Sequence, residues 1–137
     1  MRNALLIGGT GNISLPITRK LIALGWDVTL LNRGNRNDLV PGASCITCDI
    51  HDEPAVEQAL AGRRFDVVAQ FIAYHPEEIA RDIRLFTGKT RQYIFVSTAS
   101  AYMKPPRNPV IDDASPLSNP YWQYSRNKIA CEELLKK

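Results

Sequence analysis

The sequence predicts an α/β protein: three layers, with a parallel sheet of about five strands and helices on both faces. Three observations lead there. Apolar runs alternate with segments of helical periodicity along the 137 residues. The runs are nearly continuous in apolar residues instead of strictly alternating, as strands buried on both faces should be. A glycine-rich turn closes the first run and opens the first helical segment.

The predicted strands are "NALLIG" (3–8), "DVTLLN" (27–32), "SCITCD" (44–49), "DVVAQFI" (66–72) and "QYIFVST" (92–98). Residues 12–24 carry Ile13, Ile17, Leu21 and Leu24 at helical spacing. The connection 33–43 is too short and too rich in Gly, Asn and Pro for a full helix. Residues 53–61 carry Val56 and Leu60. Residues 76–87 open with Pro76, Glu77 and Glu78, as a helix N-terminus prefers, and then set Ile79, Ile83 and Phe86 on one face. A last helix covers about 121–136. Right-handed crossovers are expected between successive strands, and the expected strand order is 3-2-1-4-5. The segment 104–120, "KPPRNPVIDDASPLSNP", is a loop with five prolines. Long loops in compact domains are often functional.

The length suits one domain, residues 1–137, with a real core. An apolar content of 45% and a charged content of 23% are ordinary for a soluble globular protein. The net charge of +3 suits a phosphate-bearing ligand. The cations are spread out instead of gathered into a patch, so nucleic acid is not the expected partner. No segment reads as a signal peptide or a membrane span. With three cysteines, an odd number, the expected setting is reducing and cytoplasmic. Cys45 and Cys48 form a C-x-x-C but lack further ligands, since Cys131 stands alone. They read as small buried hydrophobes, and no metal site is expected.

"LLIGGTGNIS" carries Gly8, Gly11 and Ser14 at the spacing G-x-x-G-x-x-S. Small residues let the chain turn tightly and bring backbone N–H groups to a diphosphate, with the positive end of the next helix facing that charge. Gly9 and Gly11 also fit part of the Rossmann fingerprint, so a Rossmann-type domain is expected. Gly8, Thr10, Gly11, Asn12 and Ile13 become candidate cofactor-binding residues. Ser14 holds the third glycine position, where close helix–strand packing is the need. The bland alternative is a tight turn without a ligand.

The second strand ends "LLNRG". Asn32 stands where NAD-binding domains carry an acid, and Arg33 follows it. A guanidinium can hold a 2′-phosphate bidentately, which favours NADP over NAD, and Arg36 can help. The alternative is a solvated Arg33, with Asn32 binding both ribose hydroxyls. The third strand ends "CDIHD". Asp49 can accept from an adenine amino group, with the Ile50 backbone beside it. Alternatively Asp49 caps the next helix, a role Asp52 can also fill. His51 and His75 read as exposed loop residues.

After the fifth strand come "VSTASAY", the proline-rich loop and "YSRNK". With "GGTGNIS", "CDIHD", "STASAY", Pro120 and the later Glu132, the chain resembles the extended short-chain dehydrogenase/reductase superfamily, in its NAD-dependent epimerase/dehydratase branch. The resemblance spans nearly all residues. It implies that Tyr124 is the acid/base exchanging a proton with a substrate hydroxyl. Lys128 would bind the nicotinamide ribose and lower the tyrosine pKa. Thr98, four before Tyr102, falls at the catalytic Ser/Thr, with Ser97 the near alternative. The physics agrees: a phenol with a pKa of about 10 is a poor base at neutral pH until a cation favours its phenolate. At (i, i+4) the two side chains share a helix face. The structural alternative is an exposed pair on an amphipathic helix.

The chain departs from the pattern at Ser14, at Asn127 before the lysine, and at "FIAYH" (71–75), where only Ala73 carries over as cofactor-facing. Atypical members of the branch include the chloroplast stem-loop RNA-binding relatives. Extended members continue into a C-terminal substrate domain, so the chain is expected to be a truncated piece of a longer protein, inactive by itself. It should self-associate through the unpaired edge of the fifth strand. The expected activity of the whole protein is hydride transfer at a hydroxyl-bearing carbon of a small, nucleotide-sugar-like substrate, as in an epimerase, dehydratase or reductase. The competing expectation is a non-catalytic module that senses NADP(H) or contacts RNA or protein.

Overall fold

Five parallel strands organise the computed structural model, which describes residues 1–137. They are β1 (Asn3–Ile7), β2 (Asp27–Asn32), β3 (Ser44–Thr47), β4 (Phe65–Gln70) and β5 (Thr90–Phe95). Their order in the sheet is β3-β2-β1-β4-β5, as expected from the alternation. The helices are α1 (Ser14–Ala23), α2 (Glu53–Ala59), α3 (Pro76–Phe86) and α4 (Gln123–Leu135). Short 3₁₀ turns at Asn37–Leu39 and Ala99–Ala101 complete the set. The chain divides into two compact units, Met1–Ile72 with Ile83–Phe95, and Ala73–Asp82 with Val96–Lys137.

In the first unit, β1 lies centrally, with Leu5 opposite both Thr29 and Val68 and Leu6 opposite both Leu30 and Ala69. Alternate residues of a strand point to opposite faces, so β1 feeds two cores. Leu5 and Ile7 pack with Leu31, Val68, Val56 and Leu60 of α2, and Leu85 and Phe86 at the end of α3. Ala4 and Leu6 pack with Val28, Leu30 and Ala69 against Leu15, Leu21 and Ile22 of α1. Leu5, Leu6 and Ile7 are fully buried, each contributing about 1.5–3 kcal/mol. Helices therefore cover both faces of this sheet.

Three expectations fail, each for a physical reason. The edge strands are not buried on both faces: Ser44, Cys45 and Thr47 of β3 are exposed, as are Arg91, Gln92 and Ile94 of β5. An edge strand has one neighbour, and here its side chains are only partly covered. Cys45 is consequently exposed and Cys48 half-buried, which corrects their reading as buried hydrophobes, while Cys131 is buried.

Second, the buried face of α1 is not the isoleucine stripe. Ile13, Ile17 and Leu24 are exposed, and Ser14 and Thr18 are buried in their place. Small hydroxyl-bearing residues fit against the glycine turn, where bulky ones would not. Third, Ile83 of α3 is exposed, while Ile79, Asp82, Leu85 and Phe86 are buried. Asp82 tolerates burial because Arg81 pairs with it at 2.8 Å.

Candidate functional site

In the first unit the turn after β1 is shaped by its glycines. Gly8 sits at φ +85°, in the left-handed region, and a Cβ there would meet Ile72 Cγ2 at 2.6 Å. A Cβ on Gly9 would lie 2.5 Å from Leu30 Cδ2. The Gly8 carbonyl accepts from the Thr10 amide at 2.8 Å and from Ser14 Oγ at 2.7 Å. Ser14 Oγ in turn accepts from the Gly11 amide at 2.8 Å. The Asn12 and Ile13 amides have no carbonyl acceptor in the chain. They precede α1, whose N-terminus carries partial positive charge.

A cavity of about 400 Å³ opens beside this turn. Its lining includes Gly8, Thr10, Gly11, Asn32, Arg33, Asp49 and Ile50, so the structure brings together seven of the residues expected to hold a cofactor. Asn12 and Ile13 are exposed and do not line it. Arg36, Cys48, His51 and Ile72 also line it. Of these, sequence reasoning raised only Arg36 as a contributor to binding.

The Asn32 side chain is engaged on both ends. Its Oδ1 accepts from the Gly34 amide and its Nδ2 donates to Asn37 Oδ1, each at 2.7 Å. It shapes the 33–37 loop that carries Arg33 and Arg36, both exposed at the cavity. Asp49 Oδ1 accepts from the His51 amide at 2.9 Å, and Asp52 caps α2 by accepting from Ala55 at 3.3 Å. Capping thus falls to Asp52, and Asp49 is left lining the cavity. Burial, then the charges of Asp52 and Asp49, push the Cys48 thiol above its ordinary pKa. No group of three or more His, Cys, Asp or Glu side chains is arranged to hold a metal.

The second unit holds the tyrosine and the lysine on α4. Lys128 is 2% exposed, and its ammonium donates to the carbonyl oxygens of Ala73 at 2.8 Å and Val96 at 2.9 Å. Its nitrogen lies 5.0 Å from the Tyr74 ring centre and 5.9 Å from that of Tyr124, a cation–π arrangement. Burial lowers the Lys128 pKa, against the raising charges of Cys131, Glu78 and Glu132. The Tyr124 ring packs against Trp122 at 4.9 Å and Tyr74 at 6.2 Å. Tyr74 is held by the Glu78 carboxylate, which accepts from the amides of Tyr74 at 2.6 Å and His75 at 2.9 Å. The exposed-pair alternative therefore fails for the lysine.

Thr98 and Ser97 take different partners. Thr98 Oγ1 accepts from the Ser100 amide at 3.3 Å and lies 3.0 Å from Ser100 Oγ. Ser125 Oγ donates to that Ser100 hydroxyl at 2.8 Å. Thr98 thus connects by hydroxyls to the residue next to Tyr124, not to Tyr124 itself. Ser97 Oγ donates to Glu132. Both line a cavity of about 760 Å³ shared with Tyr102, Asp113, Glu132 and Glu133. Sequence reasoning missed Tyr74 and Ser125. Tyr74 had no local signal, whereas Ser125 lay in plain view inside "YSRNK".

A five-stranded parallel sheet in the order 3-2-1-4-5, with a glycine turn leading from β1 into α1, defines a Rossmann-type domain. The chain belongs to the NAD dependent epimerase/dehydratase family, whose model matches residues 4–137. It is 29% identical over 151 aligned positions to UDP-glucose 4-epimerase of Lactobacillus helveticus, a match covering 96% of this chain and 45% of that protein. It is 30% identical over 117 positions to the chloroplast stem-loop binding protein of 41 kDa b of Arabidopsis thaliana, covering 75% of this chain and 31% of that one. The chain spans under half the length of either relative. Its fold matches the structure of the UDP-Glc/GlcNAc 4-epimerase of Campylobacter jejuni with a TM-score of 0.86 and 22% identity, over 99% of this chain and 48% of the other.

Proposed function

We propose that the chain binds a nicotinamide dinucleotide, NADP(H) in preference to NAD(H), and serves hydride transfer at a hydroxyl-bearing carbon of a nucleotide-sugar-like substrate. The observation that carries this reading is Tyr124 one helical turn from the buried Lys128 ammonium. The residues of the first cavity suit a dinucleotide. Arg33 and Arg36 offer guanidinium groups to a 2′-phosphate and Asp49 a carboxylate to an adenine amino group, while the Asn12 and Ile13 amides, outside the cavity lining at the head of α1, have N–H groups to give a diphosphate.

When bound, the nicotinamide ring supplies the acceptor and donor of hydride. Tyr124 exchanges a proton with the substrate hydroxyl through its phenol oxygen. Lys128 favours the phenolate by its charge and holds its place through the Ala73 and Val96 carbonyls. Thr98 orients the substrate oxygen, with Ser97 next to it. The odd number of cysteines supports a reducing, cytoplasmic setting. The exposure of Ile94 on β5, 41%, supports self-association through that strand's outer edge.

A second reading has one observation in its favour, the likeness to the Arabidopsis stem-loop binding protein. On that reading the chain is a binding module without turnover, contacting RNA or protein. Tyr124→Phe in the longest available form of the protein separates the two. Turnover lost with dinucleotide affinity kept supports the enzyme. RNA or protein binding unchanged by the substitution, with no turnover before or after it, supports the module.

A further inference from the structure

Ser14 and Thr18 lie on the buried face of α1, at 2% and 0% exposure. They are one helical turn apart, so both face the glycine turn. Ser14 Oγ donates to the Gly8 carbonyl at 2.7 Å, and Thr18 Oγ1 donates to the Gly9 carbonyl at 2.7 Å. Thr18 Oγ1 also lies 2.9 Å from the Ser14 carbonyl.

We propose that these two hydroxyls are a positioning pair for the dinucleotide site. They hold the Gly8 and Gly9 carbonyl oxygens toward α1, so that the loop presents N–H groups and not carbonyl oxygens to an anion. This role rests on the dinucleotide reading above, and its basis is electrostatic. A loop that binds a diphosphate must turn its negative carbonyl ends away from it, and each carbonyl needs a donor elsewhere when it does so. A glycine-rich turn has the conformational freedom to turn them back. The buried hydroxyls restrict that freedom at two successive carbonyls, Ser14 alongside the Thr10 amide at Gly8 and Thr18 at Gly9.

The Gly11 amide completes the device. It donates to Ser14 Oγ at 2.8 Å and is held inside the loop. Ser14 therefore acts as both donor and acceptor across the turn, which a glycine at the same position cannot do. Restoring the glycine of the usual fingerprint should weaken the site.

The test is an NMR titration of the full chain with ADP and, separately, with adenosine, which lacks the diphosphate. Unaltered protein is compared with Ser14→Ala, Ser14→Gly, Thr18→Val and Thr18→Ser, and the spectra report the fold of each. The pair predicts that ADP affinity falls on the order of tenfold in the first three variants. Adenosine affinity should hold, and Thr18→Ser should recover ADP binding. Hydrogen exchange at the Gly11 amide should quicken in both Ser14 variants. ADP binding by Ser14→Gly as tight as the unaltered chain's would overturn the pair alone. So would equal losses for ADP and adenosine. Unaltered protein that binds no ADP would overturn the dinucleotide reading itself and leave the pair nothing to position.

Discussion

The Lys128 ammonium donates to the Ala73 carbonyl oxygen at 2.8 Å across 55 residues of sequence. A second bond at 2.9 Å ties it to Val96. Removing the side chain strands two carbonyls and opens a cavity. Lys128→Ala should lose about 2–4 kcal/mol of stability. Lys128→Met keeps the volume and removes a desolvated charge, so it should lose less. Urea unfolding checks both, and an unchanged midpoint for Lys128→Ala would contradict the bonding described.

Tyr124 is partly exposed and packs through its ring, between Trp122 and Tyr74. Tyr124→Phe keeps that packing and removes only the hydroxyl. Stability should stay within about 0.5 kcal/mol. Turnover of the longest available form should fall on the order of 10²–10⁴-fold. Parallel steady-state kinetics and melting curves read the two effects apart. Retained turnover would remove Tyr124 from the acid/base role.

The two glycines Gly9 and Gly25 make different predictions. A Cβ at Gly9 would also stand 3.1 Å from Thr18 Oγ1 and 3.2 Å from Leu6 Cβ, all inside the core. Gly25 has φ +77° but nothing within 4 Å of its would-be Cβ. Gly25→Ala should cost about 1 kcal/mol from backbone conformation alone. Gly9→Ala should cost more, about 1–3 kcal/mol or beyond, from overpacking. Equal losses in denaturant titrations would mean that the close contacts at Gly9 relax freely.

Burial pushes the Cys131 thiol up from 9.0 to about 11. The folded state therefore holds a proton that the unfolded chain releases first. The stability this contributes is complete below pH 9 and is lost as pH rises through about 11. Lys128 acts with the opposite sign. Its pKa is lowered from 10.5, so the unfolded chain binds the extra proton and stability rises with pH just below that value. Cys131→Ala should abolish the fall and leave the rise. Unfolding midpoints measured across this alkaline window test the point, and an equally steep fall without the thiol would refute it.

The strand order was legible because continuous apolar runs report burial on two sides, and because a parallel sheet admits few crossovers. The glycine turn was legible because Gly8 takes a left-handed φ and a Cβ at Gly9 would collide with Leu30. The face of α1 was not. Ile13 and Ile17 are more apolar than Ser14 and Thr18, and periodicity carries no record of the carbonyls those hydroxyls serve. The edges failed for a related reason, since apolar content does not say how many neighbours a strand has. Tyr124 and Lys128 were legible as a pair from their spacing. The burial of Lys128 was not, because Ala73 and Val96 are 55 and 32 residues away from it.

Calorimetric titration with NADPH and NADH, on the unaltered chain and on Arg33→Ala, is the decisive measurement of the dinucleotide site. Binding of both should saturate, with NADPH the tighter. Arg33→Ala should cost NADPH on the order of tenfold in affinity and leave NADH nearly unchanged. Equal affinities for the two would keep the site and discard the role of Arg33. No saturable binding of either dinucleotide would mean that the cavity beside the glycine turn is not a dinucleotide site.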